Sequence, residues 1–265
     1  RRGAAKGFSV QGLYVRDAGA PPRARPDRSP EGREASSSSD EEEFDEAALL
    51  AGAPSFLEKI DAAVAEGLKV GMREDEIPYL IEPAYLKEGG YAGIHFMSSM
   101  SMTEPDFPVP AQFHSSRILQ QGDCLITEIS GAYWGYSGQI HRTFSFGQPT
   151  DAWKKLHDVA VEGYLAIEET LKDGATTADI EDAAEVIHQR GYSIYDDLLH
   201  GVSQTPPIIQ TRTTKRHENP DITFRENMAI TIQPNVITPD EKMGLQFGET
   251  VVVTKTGCER LNAYP

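Results

Sequence analysis

Glu128 and Gln139 open the search for chemistry, because both lie in one stretch, Gly122–Gly147, with the sequence GDCLITEISGAYWGYSGQIHRTFSFG. His141 and Tyr136 fall in the same stretch. Downstream come His200 followed by Gly201, His217 at the head of His217-Glu218-Asn219-Pro220, and Gln233 within Thr231-Ile232-Gln233-Pro234. His114 lies upstream. Histidine near its ordinary pKa can both take and give a proton at neutral pH. Glutamine keeps the hydrogen-bonding shape of a carboxylate and drops its charge. Such a set suits proton transfer on a small polar molecule held by hydrogen bonds. His114, His200, His217 and Glu128 are the catalytic candidates; Gln139, Gln233, His141 and Tyr136 are the substrate-binding ones. Tyr136 and Arg142 also read as packing and salt-bridge residues of a hairpin, and His157 and His188 as surface residues of helices.

These residues need strands to aim them. Gly93–Met97 and Cys124–Ser130 read as strands, and Tyr133–Phe146 alternates well enough to pair back on the second. A long helix carries Trp153, Leu156, Ala160, Tyr164, Ile167 and Leu171 and ends at Gly174. Thr177 is placed to cap the next, which Gly191 stops. Strands follow around Tyr192–Leu199, Met228–Val236 and Glu249–Thr254. Upstream, Ser55 and Glu58 form a capping box, and a short helix runs from about Glu74 towards Lys87, limited by Pro83. Helices clustered between strand groups predict an α+β fold with an antiparallel-rich sheet.

The folded domain is expected over 54–265. Residues 1–53, rich in Arg and Pro and then in Ser and acids, read as a disordered or linker-like tail. The net charge of −16 argues against nucleic acid and anionic membranes as partners. No apolar run reaches the roughly 18 residues of a membrane span. Cys124 and Cys258 are far apart in no metal-binding spacing, as in a reduced cytoplasmic protein.

The order of motifs resembles the pita-bread fold of the Xaa-Pro peptidase, methionine aminopeptidase and creatinase family. It runs from the GD turn and its strand through GYSGQIHRTFSFG, two helices, His200-Gly201 and HENP to ENMAITIQPNV and GLQFGETVVVTKTGCERL. The resemblance covers about Ser55–Pro265. It implies a curved sheet with helices on one side, a hydrolase and a homodimer. Metal-dependent members use two aspartates, a histidine and two glutamates as ligands. Carried over, these fall on Glu128, Gln139, His200, Gln233 and Gly248. Glu249 follows immediately, but neighbours in a strand face opposite sides, so Glu249 is expected to point away from the pocket. One carboxylate and one imidazole do not hold two cations, so no metal or other cofactor is expected. The family's upstream histidine falls on Ala111, three residues before His114. Its second histidine falls on Pro207, and His217 stands beyond an insertion, Thr211–Arg216, that is expected to reshape the pocket mouth.

Two functions fit this pattern. In the first, a metal-independent hydrolase of the creatinase type cleaves a C–N bond, of amide or ureido type, in a small substrate. A histidine moves the proton, and Glu128, Gln139 and Gln233 hold the substrate. In the second, the scaffold has given up catalysis and binds a peptide, a protein or a small molecule. A metallo-aminopeptidase with an unusual ligand set fits least.

Overall fold

The computed structural model of the chain describes residues 13–15, 59–60, 62–87, 89–133, 136–202, 205–214 and 217–261. The expected Ser55–Glu58 capping box lies outside them. A helix over residues 62–67 (α1) and a 3-10 turn at Glu74–Glu76 lead into α2, Pro78–Leu86. Pro78 starts α2, where its missing N–H costs nothing, and Pro83 sits inside the helix and does not limit it. The burial of Ile81 and Tyr85 on one side of α2 holds that turn in place.

Three long strands come next in pairing order: β2 (Tyr91–Ser101), β3 (Asp123–Tyr133) and β4 (Tyr136–Ser145). Gly122 has φ +90, a conformation that favours glycine, and turns the chain into β3. The Asp123 carboxylate accepts from the Arg117 guanidinium at 2.5 and 2.8 Å and from the Gln120 N–H at 2.7 Å. The GD turn is therefore a structural clamp at the base of the hairpin. Leu13–Val15 (β1), within the stretch expected to be a tail, runs parallel to Thr143–Ser145 of β4. Its three β-prone residues are too few to show an alternation in sequence.

Two helices follow, α3 (Asp151–Thr170) and α4 (Thr177–Gln189). Thr176, not Thr177, caps α4: its hydroxyl and N–H form a capping box with Asp179. The Thr177 hydroxyl instead donates to the Pro220 carbonyl at 2.5 Å. The remaining strands are β5 (Ser193–Ile194), β6 (Leu199–Gly201), β7 (Thr205–Ile209), β8 (Ala229–Ile232), β9 (Asn235–Ile237), β10 (Gly244–Gln246), β11 (Gly248–Val253) and β12 (Cys258–Arg260). The main sheet runs β2-β3-β4-β11-β8-β6-β7, antiparallel along this path, with β12 beside β11 and the parallel β1 beside β4; β10-β9-β5 form a small second sheet.

The apolar core has two parts. One packs α1, α2 and Leu119 against Met97, Leu125, Ile129, Ile140 and Phe144. The larger one packs α3 and α4 against the other half of the sheet, through Trp153, Tyr164, Ile180, Ile230, Ile232 and Val251. His157, expected at the surface, is buried in α3 with its ring edge-on to Phe247. It stands one turn after Trp153, on the apolar stripe of the helix, and burial lowers its pKa.

Candidate functional site

Strand register brings distant positions onto one face of the sheet. Glu128 pairs with His141, and Ser130 with Gln139, across β3 and β4. His141 pairs in turn with Gly248 of β11. Two residues on, Thr250 pairs with Thr231 of β8, which pairs with His200 of β6. Paired residues share a face, as do residues two apart in a strand. One face across five strands therefore presents Glu128, Ser130, Gln139, His141, Gly248, Thr250, Thr231 and His200. Gln233, two after Thr231, is fixed by its own N–H donating to the Leu198 carbonyl at 2.8 Å. Glu249 pairs with Ile140 on the opposite face.

This face borders a cavity of about 340 Å³. Glu128, His200, Gln233 and Gln246 line it, together with Asp196, Asp197 and Gln210. Phe96, Pro110 and Ile208 supply the apolar wall, and Phe96 is the cross-strand neighbour of Glu128. The Gln139 amide donates to Glu128 Oε1 at 3.2 Å and to Ser130 Oγ at 3.0 Å. The Gln246 amide donates to Glu128 Oε2 at 3.2 Å. One carboxylate is thus held between two amides, with the carbonyl oxygens of both amides buried without a partner. In the same manner the Gln233 amide donates to Asp197 Oδ1 at 2.9 Å.

His200 is placed to act as a base. Its Nδ1 lies 2.5 Å from the Gly201 carbonyl oxygen, and a carbonyl can only accept, so Nδ1 carries the proton. Nε2 then bears the lone pair, and it is buried without a partner. His141 is fully enclosed. Burial above all, then the neighbouring His200 and Arg142, push its pKa down to about 3. It is a neutral imidazole at any working pH and does not cycle protons.

Other expected residues stand elsewhere. His114 Nε2 lies 2.8 Å from the His95 carbonyl oxygen, so that ring donates to the backbone of β2 and does not line the cavity. His217 is exposed, its Nδ1 3.2 Å from the Glu218 carbonyl oxygen, and also does not line the cavity. The backbone of Tyr136 opens β4; its side chain lies outside the described residues. Ala111 exchanges two backbone hydrogen bonds with Met97, which sets its neighbour Pro110 in the cavity wall. In the inserted stretch, Thr211 bonds Thr214 at 2.6 Å and His188 at 3.0 Å. Asn219 grips Gln210 from both sides, accepting from its N–H at 2.9 Å and donating to its carbonyl at 2.7 Å. Asn219 also donates to Glu181 of α4 at 2.5 Å, which ties that cavity wall to the helix.

Sequence reasoning passed over Gln246, Asp196, Asp197 and Gln210. A signal existed for three of them. Gln246 stands two before Gly248, and the Asp pair stands just ahead of His200.

A model of the metallopeptidase family M24 matches residues 55–255. The chain belongs to that family. It is 25% identical over 224 residues to an Xaa-Pro dipeptidase of Pyrococcus furiosus, covering 82% of this chain and 61% of the relative. It is 26% identical over 224 residues to a probable dipeptidase PepE of Mycobacterium tuberculosis, covering 82% and 56%. The crystal structure of an X-Pro aminopeptidase from Thermotoga maritima superposes with a TM-score of 0.72 at 26% identity, over 84% of this chain and 62% of that one. A methionine aminopeptidase from Rickettsia prowazekii shares the fold, with a TM-score of 0.69 at 18% identity, over 81% and 96%. The chain spans about three fifths of the length of the curated relatives it matches first. The M24 neighbours establish the pita-bread fold, and no described helix is long and apolar enough to cross a membrane.

Membership in M24 raises the question of metal. Of the five positions that resemble ligands, Glu128 is already engaged by two amides, and Gln139 and Gln233 offer only neutral oxygens. At Gly248 an added Cβ would lie 2.1 Å from the Ile232 carbonyl oxygen, so no carboxylate enters there without moving the backbone of β8. Among the described residues no group of three or more His, Cys, Asp or Glu side chains converges to hold a metal ion. This donor set does not fit a two-metal centre.

Proposed function

We propose that the protein hydrolyses a C–N bond, of amide or ureido type, in a small polar substrate without a two-metal centre, as a homodimer. The observation that carries this reading is the setting of the His200 ring: Nδ1 lies 2.5 Å from the Gly201 carbonyl oxygen, Nε2 is buried without a partner, and the residue lines the cavity with Glu128. Nε2 takes a proton from water as the water attacks the carbonyl or ureido carbon. The resulting imidazolium returns that proton to the leaving nitrogen as the C–N bond breaks. Glu128, held in place by Gln139 and Gln246, offsets the positive charge that passes through the imidazolium. Gln233 and Gln246 position the substrate through their amides. The hydrolase part of the reading accords with peptidase names among the relatives.

Turnover of a panel of small amides, ureido compounds and dipeptides, measured with chelator present, tests the proposal. Activity that survives chelator and falls about 10²-fold or more in His200→Gln supports it. Activity abolished by chelator and restored by Mn, Co or Zn contradicts it. The absence of turnover across the panel would instead favour a binding module, a role for which the amide-held Glu128 is equally suited.

A further inference from the structure

Three carboxylates line the cavity. Asp197 is buried in its wall and Asp196 is exposed at its edge, and both join Glu128 in facing the same space. No lysine or arginine is among the described residues that line it. The unpartnered buried atoms point the same way chemically. His200, 1% exposed, offers the Nε2 lone pair, and Gln246, 2% exposed, offers its Oε1. Gln233 Oε1, in the same lining, is a third buried acceptor without a partner. A buried acceptor without a donor costs free energy that a ligand N–H recovers. Clustered carboxylates with low-dielectric walls concentrate a negative potential that attracts cations and repels anions. Phe96, beside Glu128, adds an aromatic surface of the kind cations favour.

We infer that the cavity selects a cationic, N–H-rich group, an ammonium or guanidinium, and rejects ligands that bring a carboxylate to it. This rests on the proposed hydrolase only for the fate of the ligand; the selection itself is a property of the cavity. Within that reading, the substrate is an amide or ureido compound bearing a positive charge and no free carboxylate near the scissile bond. A free dipeptide, whose C-terminal carboxylate finds no basic partner among the described residues of the wall, is a poor substrate.

The test uses the full chain and two probes of similar size, agmatine and glutarate, read by calorimetry and by thermal unfolding. Agmatine is expected to bind saturably and raise Tm, more weakly as salt is added, and glutarate to do neither. Asp197→Asn is expected to weaken agmatine about tenfold. Asp196→Asn, at the exposed edge, gives the same direction should Asp197→Asn fold poorly. Glutarate binding as tightly as agmatine, or an agmatine affinity unchanged in both variants, overturns the inference. Agmatine and glutarate binding, compared with turnover of the amide panel on the unaltered chain, separates this inference from the function above. Agmatine bound with no turnover in any assay sinks the hydrolase and leaves the selection standing. Glutarate bound with turnover intact does the reverse.

Discussion

On the outer face of β4, Arg142 donates to the carbonyls of His141 and Gly248, both at 3.0 Å, and its guanidinium stands 4.9 Å over the Phe247 ring. Glu249 lies 3.9 Å from it, with the Tyr164 hydroxyl of α3 at 3.5 Å. On the inner face, one residue along, Gln139 and Gln246 hold Glu128 and keep their own carbonyl oxygens unpartnered. Both faces are buried and polar. The outer one joins β4 and β11 to α3; the inner one sets its acceptors beside the cavity. Substitution on the outer face should cost stability, and substitution on the inner face should cost ligand.

The largest effect is expected from Arg142→Met. Removing Arg142 takes the more buried of two guanidiniums from Glu249, which keeps Arg260 at 4.0 Å, and stability should fall by about 3–5 kcal/mol in urea unfolding. A loss below about 1 kcal/mol would mean that the outer face is not the structural one. Next comes Gly248→Ala, where the new Cβ meets the Ile232 carbonyl oxygen at 2.1 Å. A loss of about 1–3 kcal/mol is expected from this overpacking, and an unchanged urea midpoint would show that the strands part freely there.

The inner face has its own acid signature. His141 stays neutral in the folded protein down to about pH 3, whereas in the unfolded chain it takes a proton near pH 6.5. Between those values the unfolded state binds more protons, so stability should fall as pH falls, by about 1.4 kcal/mol per pH unit, with no contribution above pH 7. His157, lowered by burial as well, adds in the same direction. His141→Asn should flatten the slope of the urea midpoint between pH 6.5 and pH 4; an unaltered slope would remove His141 as its source. The smallest change in stability is expected from Gln246→Met, within about 1.5 kcal/mol, because Glu128 keeps its bond to Gln139. Agmatine binding should weaken in the same variant. Full binding there would deny Gln246 its place in the site.

Much of this contrast was legible in the sequence, because alternation within a strand is a local property. Glu128, Gln139 and His141 share parity by register, and the placement of Glu249 on the other face followed from one residue of offset. That Glu249 is buried there under α3, with no outlet to solvent, did not follow: a strand pattern does not show which helix covers it. Local periodicity also found α3 and α4 but misjudged His157 and the cap of α4, where neighbouring side chains decide. Asp197 precedes β6, Gln210 follows β7 and Gln246 ends β10. Their convergence depends on register between strands far apart in sequence, which no local pattern encodes. His114 and His217 show the converse, since residue type nominated them and the backbone bonds each one makes place it away from the cavity wall.

The central claim is that this M24 scaffold carries an amide-held carboxylate where metal-dependent members hold two cations. Elemental analysis of the full chain, purified without chelator and dialysed, tests it most directly. Mn, Co and Zn together well below one equivalent per chain are expected. Two tightly bound metal ions per chain would contradict the account.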